Sequence, residues 1–567
     1  MIRIGNCSGF YGDRLSAMRE MLEGGDLDVL TGDYLAELTM LILAGDQRAD
    51  PRAGYARTFL NQLRDCLRLA LDRRVRIVTN AGGVNPPALV AAIRELAAGQ
   101  GLSPSIALVR GDSLGPGAHA YLGAFGIARA MEADIVVTGR VTDASLAIGP
   151  AIARFGWSRD SFDQLAGATV AGHVIECGTQ ATGGNFSFFT EIGDLLHPGF
   201  PVAEIFEDGS SIITKHPGTG GAVTVGTVTA QLVYEVQDAR YAGPDVTTRL
   251  DSVTLRQEAP DRVAISRVRG EPPPPDLKVS RTRPGGFRNE MTVVLTGLDI
   301  EAKAALFRQQ FEAGLTRRPA SLTWTLDRLD VPDAPTQRQA SALLTVVARD
   351  PDRRNADRAF SNAAVEVALG SYPGFFATTP PGGARPYGVF TAGFVPQEVP
   401  VHEVVLPDGA VERIPPPPAC QFLDPLPGPQ ASPTLSWAGT SGARGYDNSA
   451  PLSTTRRLPL GTIAGARSGD KGGDANIGVW VRSPAAYAWL VNLISAERVR
   501  ELLPETAALP LRITRLPNLN AVNVVVEGLL GAGVADNARF DPQAKGLAEW
   551  LRSRHVDIPL SLLEEAP

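Results

Sequence analysis

The sequence predicts an α/β fold. An N-terminal parallel sheet with flanking helices is followed by a mixed α+β domain and a small C-terminal ferredoxin-like α+β domain. Five apolar runs within the first 150 residues are each followed by a polar loop and a helical pattern, which is typical of a parallel sheet covered by helices. The last hundred residues show two strands, a helix, two strands and a helix. At roughly 100–200 residues per domain, 567 residues suffice for about three domains.

The N-terminal domain is predicted to span residues 1–158. Its strands are expected at residues 1–4, 27–30, 75–79, 105–109 and 134–138. These runs are apolar throughout, rather than alternating with polar residues, which indicates strands that are buried on both faces. Each strand should therefore end at one edge of the sheet, with a loop leading into the next helix.

The remainder of the chain divides at a change in composition. A mixed α+β domain is predicted over 159–412, with a strand over 214–233 and a helix over 302–313. Residues 413–456 are rich in proline and glycine and are interpreted as a linker. The ferredoxin-like domain is predicted over 457–567. Its strands are expected at 461–466, 476–482, 511–516 and 522–527, and its helices at 484–494 and 543–552.

Composition excludes several classes of protein. The net charge is −7 and no stripe of Lys and Arg is present, which argues against a nucleic-acid partner. No stretch approaches eighteen apolar residues and no leader pattern opens the chain, so neither a membrane span nor export is expected. The four cysteines are scattered without a CxxC pair, which favours a reducing compartment over a disulfide framework. We expect a cytoplasmic homo-oligomer.

The loops after the predicted strands carry glycine and polar side chains. One loop also offers Asp33, Tyr34 and Glu37. In the loops after the third and fifth predicted strands, substrate-binding roles are predicted for Asn80, Gly82, Gly83, Asn85 and Arg140. Asp143, in the fifth loop, is a candidate catalytic residue. Ligands bind beyond the carboxyl ends of strands in open α/β sheets. The alternative is that these residues only form turns and cap helices. No GxGxxG or Walker loop is present, so no nucleotide cofactor is predicted.

Residues 171–185, AGHVIECGTQATGGN, form the segment richest in candidate catalytic groups. His173 and Glu176 are three residues apart and share one face if the segment is helical, so they suit an acid–base pair. Cys177 is either a nucleophile or an inert buried thiol. Substrate binding through their amides is assigned to the last three residues of this segment, Gly183, Gly184 and Asn185. A divalent metal on His173 and Glu176 is a weaker alternative, because HxxE alone is a poor metal signature, and no metal ligand is assigned.

Two further glycine-rich segments resemble anion-binding loops. Residues 215–221, KHPGTGG, offer Lys215 and Thr219, with a simple glycine hairpin as the alternative. Residues 467–476, RSGDKGGDAN, combine two cations, two aspartates and three glycines in ten residues. Substrate-binding roles are predicted here for five residues: Arg467, Ser468, Asp470, Lys471 and Asn476.

Taken together, these motifs resemble the acyclic terpene utilisation (AtuA) family. The similarity rests on GFYGDR, NAGGVNP, TGRVTDASL, GHVIECGTQATGGN and PGTGG, in this order. RSGDKGGDANIG and LPNLNAVNVVVEGLLGAG resemble the ferredoxin-like domain that accompanies the family. The resemblance covers about residues 1–400 and 457–557. It implies a role in the breakdown of citronellol-type terpenes and branched acyl-CoA compounds, and it brings no established catalytic residues.

The sequence therefore favours a catabolic enzyme acting on a branched-chain or terpenoid acyl-CoA or hydroxy acid. A hydratase, dehydratase or lyase would use His173 and Glu176 for proton transfer, with loop amides as oxyanion donors. Arg467 and Lys471 would hold a carboxylate or a phosphate of coenzyme A. A hydrolase that uses Cys177 is one alternative. A non-catalytic subunit that partners an acyl-CoA carboxylase is the other.

Overall fold

The computed structural model describes residues 1–418 and 455–564 and places them in two compact units. Of the described residues, the first unit comprises 1–281, 391–418, 455–531 and 543–564, and the second comprises 282–390 and 532–542. Most of the predicted linker 413–456, including Cys420, lies outside the described residues.

Strands and helices alternate through the first part of the chain. The elements are β1 (Ile2–Asn6), α1 (Ala17–Gly24), β2 (Val29–Gly32), α2 (Glu37–Ala49), α3 (Arg57–Asp72), β3 (Arg76–Thr79), α4 (Pro86–Gly99), β4 (Ile106–Arg110), β5 (Ala118–Ala120), α5 (Phe125–Ala130), β6 (Ile135–Thr138) and α6 (Ser145–Phe155). Parallel pairing joins β1, β2, β3, β6 and β4 in that order. The predicted parallel sheet is confirmed, with β6 inserted between β3 and β4.

Both faces of this sheet are buried, as the apolar strands predict. On β3, Ile77 packs in a cluster with Phe59 of α3, whereas its neighbour Val78 packs in a cluster with Ile127 of α5. Because successive side chains of a strand point to opposite faces, each strand contributes to two cores. The strands that carry the polar side chains at their ends are therefore held by a packed core on each face.

The main sheet continues across the predicted boundary at residue 158. The next elements are α7 (Phe162–Ile175), β7 (Pro201–Ile205), β8 (Ser211–Lys215), α8 (Val225–Leu232), β9 (Arg240–Ala242), β10 (Thr247–Arg249), β11 (Thr254–Ala259), β12 (Arg262–Ser266) and β13 (Arg269–Glu271). β7 pairs antiparallel with β1, and β8, β12 and β11 extend the sheet beyond it. These four strands thus widen the N-terminal sheet, whereas β9, β10 and β13 form a separate three-stranded antiparallel sheet.

The predicted strand over 214–233 is wrong beyond its first two residues, because β8 ends at Lys215. Its β-branched residues favour a strand, yet residues 225–232 form α8. A capping box starts this helix: the Thr224 hydroxyl accepts from the Thr227 amide at 3.1 Å, and the Thr227 hydroxyl accepts from the Thr224 amide at 3.0 Å. Satisfying these free amides outweighs the weak strand preference of threonine and valine.

Residues 276–413 supply β14 (Asp276–Thr296), α9 (Ile300–Gly314), β15 (Ser321–Asp327), β16 (Ser341–Asp350), α10 (Arg353–Ala356), α11 (Arg358–Glu366), β17 (Phe376–Ala377), β18 (Arg385–Pro396), β19 (Glu403–Val405) and β20 (Val411–Arg413). In the second unit β16 pairs with both β14 and β15, and Phe307 and Phe311 of α9 lie in the core beneath them. The predicted helix over 302–313 is confirmed. In the first unit β19 pairs with β4.

The C-terminal part forms a small α+β domain within the first unit. Its elements are β21 (Thr455–Pro459), β22 (Ala464–Lys471), β23 (Asp474–Val481), α12 (Pro484–Leu493), α13 (Ala496–Leu502), β24 (Leu511–Leu516), β25 (Ala521–Val526), α14 (Leu547–Ser553), β26 (His555–Pro559) and α15 (Leu560–Glu564). An antiparallel sheet runs in the order β22, β23, β25, β24. Residues 467–476, predicted as a loop, instead form most of the β22–β23 hairpin.

No helix in the described part of the chain has the length and apolar character required to cross a membrane.

Candidate active site

Asn80 joins two strand ends at the carboxyl edge of the parallel sheet. It follows β3, and its side-chain amide donates to the Asp33 carboxylate at 2.6 Å. Its side-chain oxygen accepts from the Tyr34 backbone amide at 2.8 Å. The loop after β2 is therefore fixed against the loop after β3. Asn80 is fully buried, so its role in the structure is to position Asp33.

Asn6 anchors the end of α7 to the same edge. Its side-chain amide donates to the carbonyl oxygens of Ile175 and Glu176 at 2.7 and 3.1 Å. Gly9, in the loop after β1, lies against the backbone of Cys177, where an added Cβ would come within 2.6 Å of the carbonyl carbon. Only glycine permits this approach. The last turn of α7 is thereby held where the strands end.

His173 and Glu176 form a buried pair on this last turn. The imidazole Nδ1 lies 2.8 Å from Glu176 Oε1, and His173 is only 4% exposed. Among the described residues, neither His173 Nε2 nor Glu176 Oε2 has a hydrogen-bond partner. A carboxylate that accepts from Nδ1 fixes the ring and leaves Nε2 free to exchange a proton with a third group. The ring of Tyr241 covers the imidazole, at 5.3 Å between centroids.

The pKa values of His173 and Glu176 are both raised, but for different reasons. Burial alone lowers the pKa of His173, but the charge of Glu176 and its hydrogen bond outweigh burial and hold the pKa above its usual value. Burial raises the pKa of Glu176, against the opposing effect of the imidazole. The neutral imidazole is therefore a stronger base than a free histidine.

Arg140 organises a second group of charges beside the pair. Its guanidinium donates to Asp143 at 2.8 Å and stacks over the Tyr121 ring at 4.2 Å. Burial, followed by the charge of Asp143, raises the pKa of Asp33 well above its usual value, although Arg140 opposes this. Burial also raises the pKa of Asp143, about a third of whose side chain is exposed. The cluster thus offers carboxyl groups that hold protons more tightly than ordinary aspartates.

Asp112 links the backbone of Arg140 to the side chain of His119. Asp112 accepts from the Arg140 backbone amide at 3.1 Å and contacts His119 Nδ1 at 2.9 Å. Further along the cluster, the Tyr121 hydroxyl donates to Glu37 at 3.0 Å, and Lys278 lies 3.5 Å from the same carboxylate. These contacts extend the polar surface from the strand ends to the start of α2.

The β22–β23 hairpin adds cations from the far end of the sequence. Burial lowers the pKa of Lys471, but the Tyr241 hydroxyl and the carboxylates of Glu235 and Glu37 outweigh this and hold the pKa above its usual value. In turn, the charge of Lys471 lowers the pKa values of Asp143 and His173. Lys471, Asp143 and the His173 pair therefore belong to one electrostatic cluster.

Arg467 lies on β22, four residues before Lys471. Its guanidinium stacks over the Tyr234 ring at 4.4 Å and donates to the Gln180 side chain. Burial, together with the carboxylate of Glu235, raises the pKa of Asp470 to about 6, although Lys545 opposes this. Glu235 has a backbone φ of 56°, an unusual conformation for a residue with a side chain, and its amide is held by Asn476 at 2.9 Å.

For several other predicted binding residues the structure shows hydrogen bonds and ion pairs within the protein. The Lys215 ammonium donates to the Thr219 carbonyl at 2.6 Å and pairs with Asp261 at 3.1 Å, while the Thr219 hydroxyl donates to His216. Asn85 donates to the carbonyls of Pro51 and Ala53.

The glycines and the remaining polar residues also serve packing. Added Cβ atoms would strike Thr138 at Gly82, Leu43 at Gly83, Ile192 at Gly183 and Thr179 at Gly184. Asn185 is exposed in a left-handed conformation with a φ of 57°. Ser468 donates to the Ala544 carbonyl, and Asn476 donates to Val236. The Ser468 and Asn476 side chains thus tie the hairpin to other segments of the first unit.

Cys177 is adjacent to the pair, but its surroundings disfavour a thiolate. Burial raises the pKa of the thiol well above its usual value, and the carboxylates of Glu176 and Glu235 add to this, against the weaker opposing effect of Arg467. A nucleophilic cysteine needs a lowered pKa. The raised pKa therefore disfavours a nucleophilic thiolate at Cys177.

The sequence did not single out several members of the cluster. Tyr121, Glu235, Tyr241 and Lys278 come from segments without a motif, and only the fold brings them to the strand ends. Within residues 1–418 and 455–564, no group of three or more His, Cys, Asp or Glu side chains is arranged to hold a metal ion. Cys7, Cys66 and Cys177 are free thiols.

Comparisons with known proteins agree with the motifs that surround this site. The family model described as acyclic terpene utilisation family protein AtuA matches residues 2–118 and 116–406. The model described as AtuA ferredoxin-like domain matches residues 458–557. No curated protein and no solved structure matches the chain. Because the first model covers most of the chain and the second covers its C-terminal domain, the chain belongs to the acyclic terpene utilisation family.

Proposed function

We propose that this protein is a catabolic enzyme that moves a proton on the carbon next to a carboxylate or thioester carbonyl, and so hydrates, dehydrates or cleaves a branched-chain or terpenoid acyl-CoA or hydroxy acid. One observation carries the proposal. Nδ1 of the buried His173 imidazole is held by the Glu176 carboxylate, and Nε2 has no hydrogen-bond partner among the described residues. The charge of Lys471 also acts on this ring. This is the arrangement that general acid–base catalysis requires.

In the dehydration direction, His173 Nε2 removes the hydrogen next to the carbonyl. Glu176 orients the ring and stabilises the positive charge that it gains. Lys471 and Arg140 stabilise the negative charge that develops on the carbonyl oxygen. Asp143, whose pKa is raised, donates a proton to the departing hydroxyl, so that water leaves as the double bond forms. Hydration is the reverse sequence.

Substrate entry requires a rearrangement at Tyr241. This ring covers His173, and Nε2 is shielded from solvent. The Tyr241 side chain is only half-buried, and an outward rotation of this side chain would admit the substrate. Closure over the substrate would then exclude water, which strengthens each charge interaction in the site.

Hydrogen exchange in D2O tests the proposal even when the product is unidentified. A panel of branched 3-hydroxy acids and their coenzyme A thioesters would be incubated with the enzyme, and incorporation of deuterium next to the carbonyl followed by mass spectrometry. We expect His173→Asn to slow exchange by about 10²- to 10⁴-fold. His197→Asn, which changes an exposed histidine, is the matched control.

Two outcomes would contradict the assignment. Undiminished exchange in His173→Asn would remove the histidine from the mechanism. A compound that raises the melting temperature but exchanges no hydrogen and loses no water would favour a binding subunit instead of an enzyme.

A further inference from the structure

β22 presents alternate residues to the segments that hold Gln180 and Tyr234. Arg467 contacts Tyr234 and Gln180, an added Cβ at Gly469 would come within 2.6 Å of the Tyr234 ring, and Lys471 acts on the His173 cluster. Between them, Ser468 points the other way, where its hydroxyl accepts from the Ala548 amide at 2.8 Å. The two cations therefore stand on the same face of one strand.

Arg467 is a buried cation whose contacts are neutral. It is 6% exposed, its Nη1 has no hydrogen-bond partner among the described residues, and its other contacts are an amide side chain and an aromatic ring. Arg140 is equally buried but pairs with Asp143 at 2.8 Å. The charge of Glu235 acts on Arg467 only from a distance, since no carboxylate among the described residues forms an ion pair with it. A guanidinium that is removed from water without an anion in contact is costly, so its retention indicates a ligand that supplies one.

Gln180 marks the place of that ligand. Its side-chain oxygen accepts from Arg467 in the position that a carboxylate oxygen would take. Gln180 is only half-buried, so its neutral side chain can be displaced by a charged competitor. A carboxylate suits the enclosed position better than a phosphate, which carries more charge and a bulkier hydration shell.

We infer that Arg467 is a specificity-determining residue that binds a second carboxylate of the substrate, at the end remote from the reacting carbon. Four residues along a strand separate Arg467 and Lys471 by about 13 Å between backbone positions. The charge of Lys471 acts on His173, and the charge of Arg467 acts on Cys177. The ligand class is thus an elongated acid with a distal carboxylate. This inference rests on the proposed function, because it assigns the lysine end to the reaction.

Equilibrium binding of simple acids tests the inference. Isothermal titration would compare α,ω-dicarboxylates, from glutarate to sebacate, with monocarboxylates of the same length. We expect one dicarboxylate length to bind at least about tenfold more tightly than its monocarboxylate, the effect of one charge-assisted hydrogen bond. Arg467→Met should abolish that preference. Arg482→Met is the control, since Arg482 also stacks on an aromatic ring, Phe188, but already pairs with Glu191.

Equal binding of the two acid series by the unchanged protein would overturn the inference, as would a preference that survives in Arg467→Met. Displacement of the dicarboxylate by inorganic phosphate or coenzyme A at equal concentration would assign the arginine to a phosphate instead. If Arg467→Met does not fold, Arg467→Gln, which retains polar contacts, provides the same comparison. Binding needs no turnover, so a failed hydrogen-exchange experiment leaves this result interpretable.

Discussion

Replacing Glu176 with glutamine removes a charge from the His173 pair while it keeps an oxygen that can accept from Nδ1. In the unchanged protein the carboxylate holds the pKa of His173 above its usual value of 6.5, against the effect of burial. In Glu176→Gln burial acts without that compensation. We therefore expect the pKa of His173 to fall below that of a free histidine.

The size of the change follows from the charge that is lost, since the hydrogen bond itself is kept. A hydrogen bond to a charged group contributes about 1.5–3 kcal/mol and a neutral one about 0.5–1.5 kcal/mol, while one pKa unit corresponds to about 1.36 kcal/mol. The difference gives a fall of about 1 pKa unit. Because the pKa of His173 is raised in the folded protein, protonation of His173 stabilises the fold. This contribution to stability is fully present below the unfolded-state pKa and is lost as the pH rises through the folded-state pKa.

Nuclear magnetic resonance of histidine-labelled protein measures this pKa directly. The chain has six histidines, and His173→Asn identifies the resonance of interest. The hydrogen-exchange rate should rise with pH through the same pKa, because only the neutral imidazole accepts a proton, and its midpoint should move to lower pH in Glu176→Gln. A His173 pKa that agrees within a few tenths of a unit between the two proteins would refute the reasoning.

Three further predictions concern the surroundings of the pair. Cys177 should resist iodoacetamide at pH 8 in the folded protein, because burial and nearby carboxylates raise its pKa; peptide mass spectrometry showing alkylation at the rate of free cysteine would contradict this. Asn6→Ala should destabilise the first unit by about 1–3 kcal/mol in urea unfolding, since two buried carbonyls lose their donor, and an unchanged midpoint would count against the anchor. Gly469→Leu should cost about 1–3 kcal/mol by collision with Tyr234, whereas Gly193→Leu, in open space, should cost little; equal effects would argue against the packing described.

The parallel sheet was predictable because burial on both faces leaves a direct mark on the sequence. Ile77 and Val78 are both apolar because each faces a separate core. Strand order leaves no such mark, so the insertion of β6 between β3 and β4 was not foreseen. Nor was the continuation of the sheet into β7, since antiparallel pairing with β1 depends on contacts distant in sequence.

The candidate site was predictable only where chemistry and local geometry coincide. His173 and Glu176 share a face of one helix, so their spacing suffices to pair them. Glycine-rich composition was a poorer guide, because glycine is also needed where backbones approach closely, as at Gly82, and where φ is positive, as at Gly183. Tyr241 and Lys278 reach the cluster through tertiary packing alone, which no local pattern records.

The β22–β23 hairpin and the last turn of α7 are proposed to act as one site. The pKa of His173 in Lys471→Met tests this union without any substrate, because the lysine charge lowers that pKa. We predict that the His173 pKa rises in Lys471→Met, opposite to the fall in Glu176→Gln, and does not change in Lys303→Met, whose ammonium instead binds the Thr296 carbonyl. A His173 pKa that is the same in Lys471→Met and the unchanged protein would show that the hairpin and the helix end do not share a site.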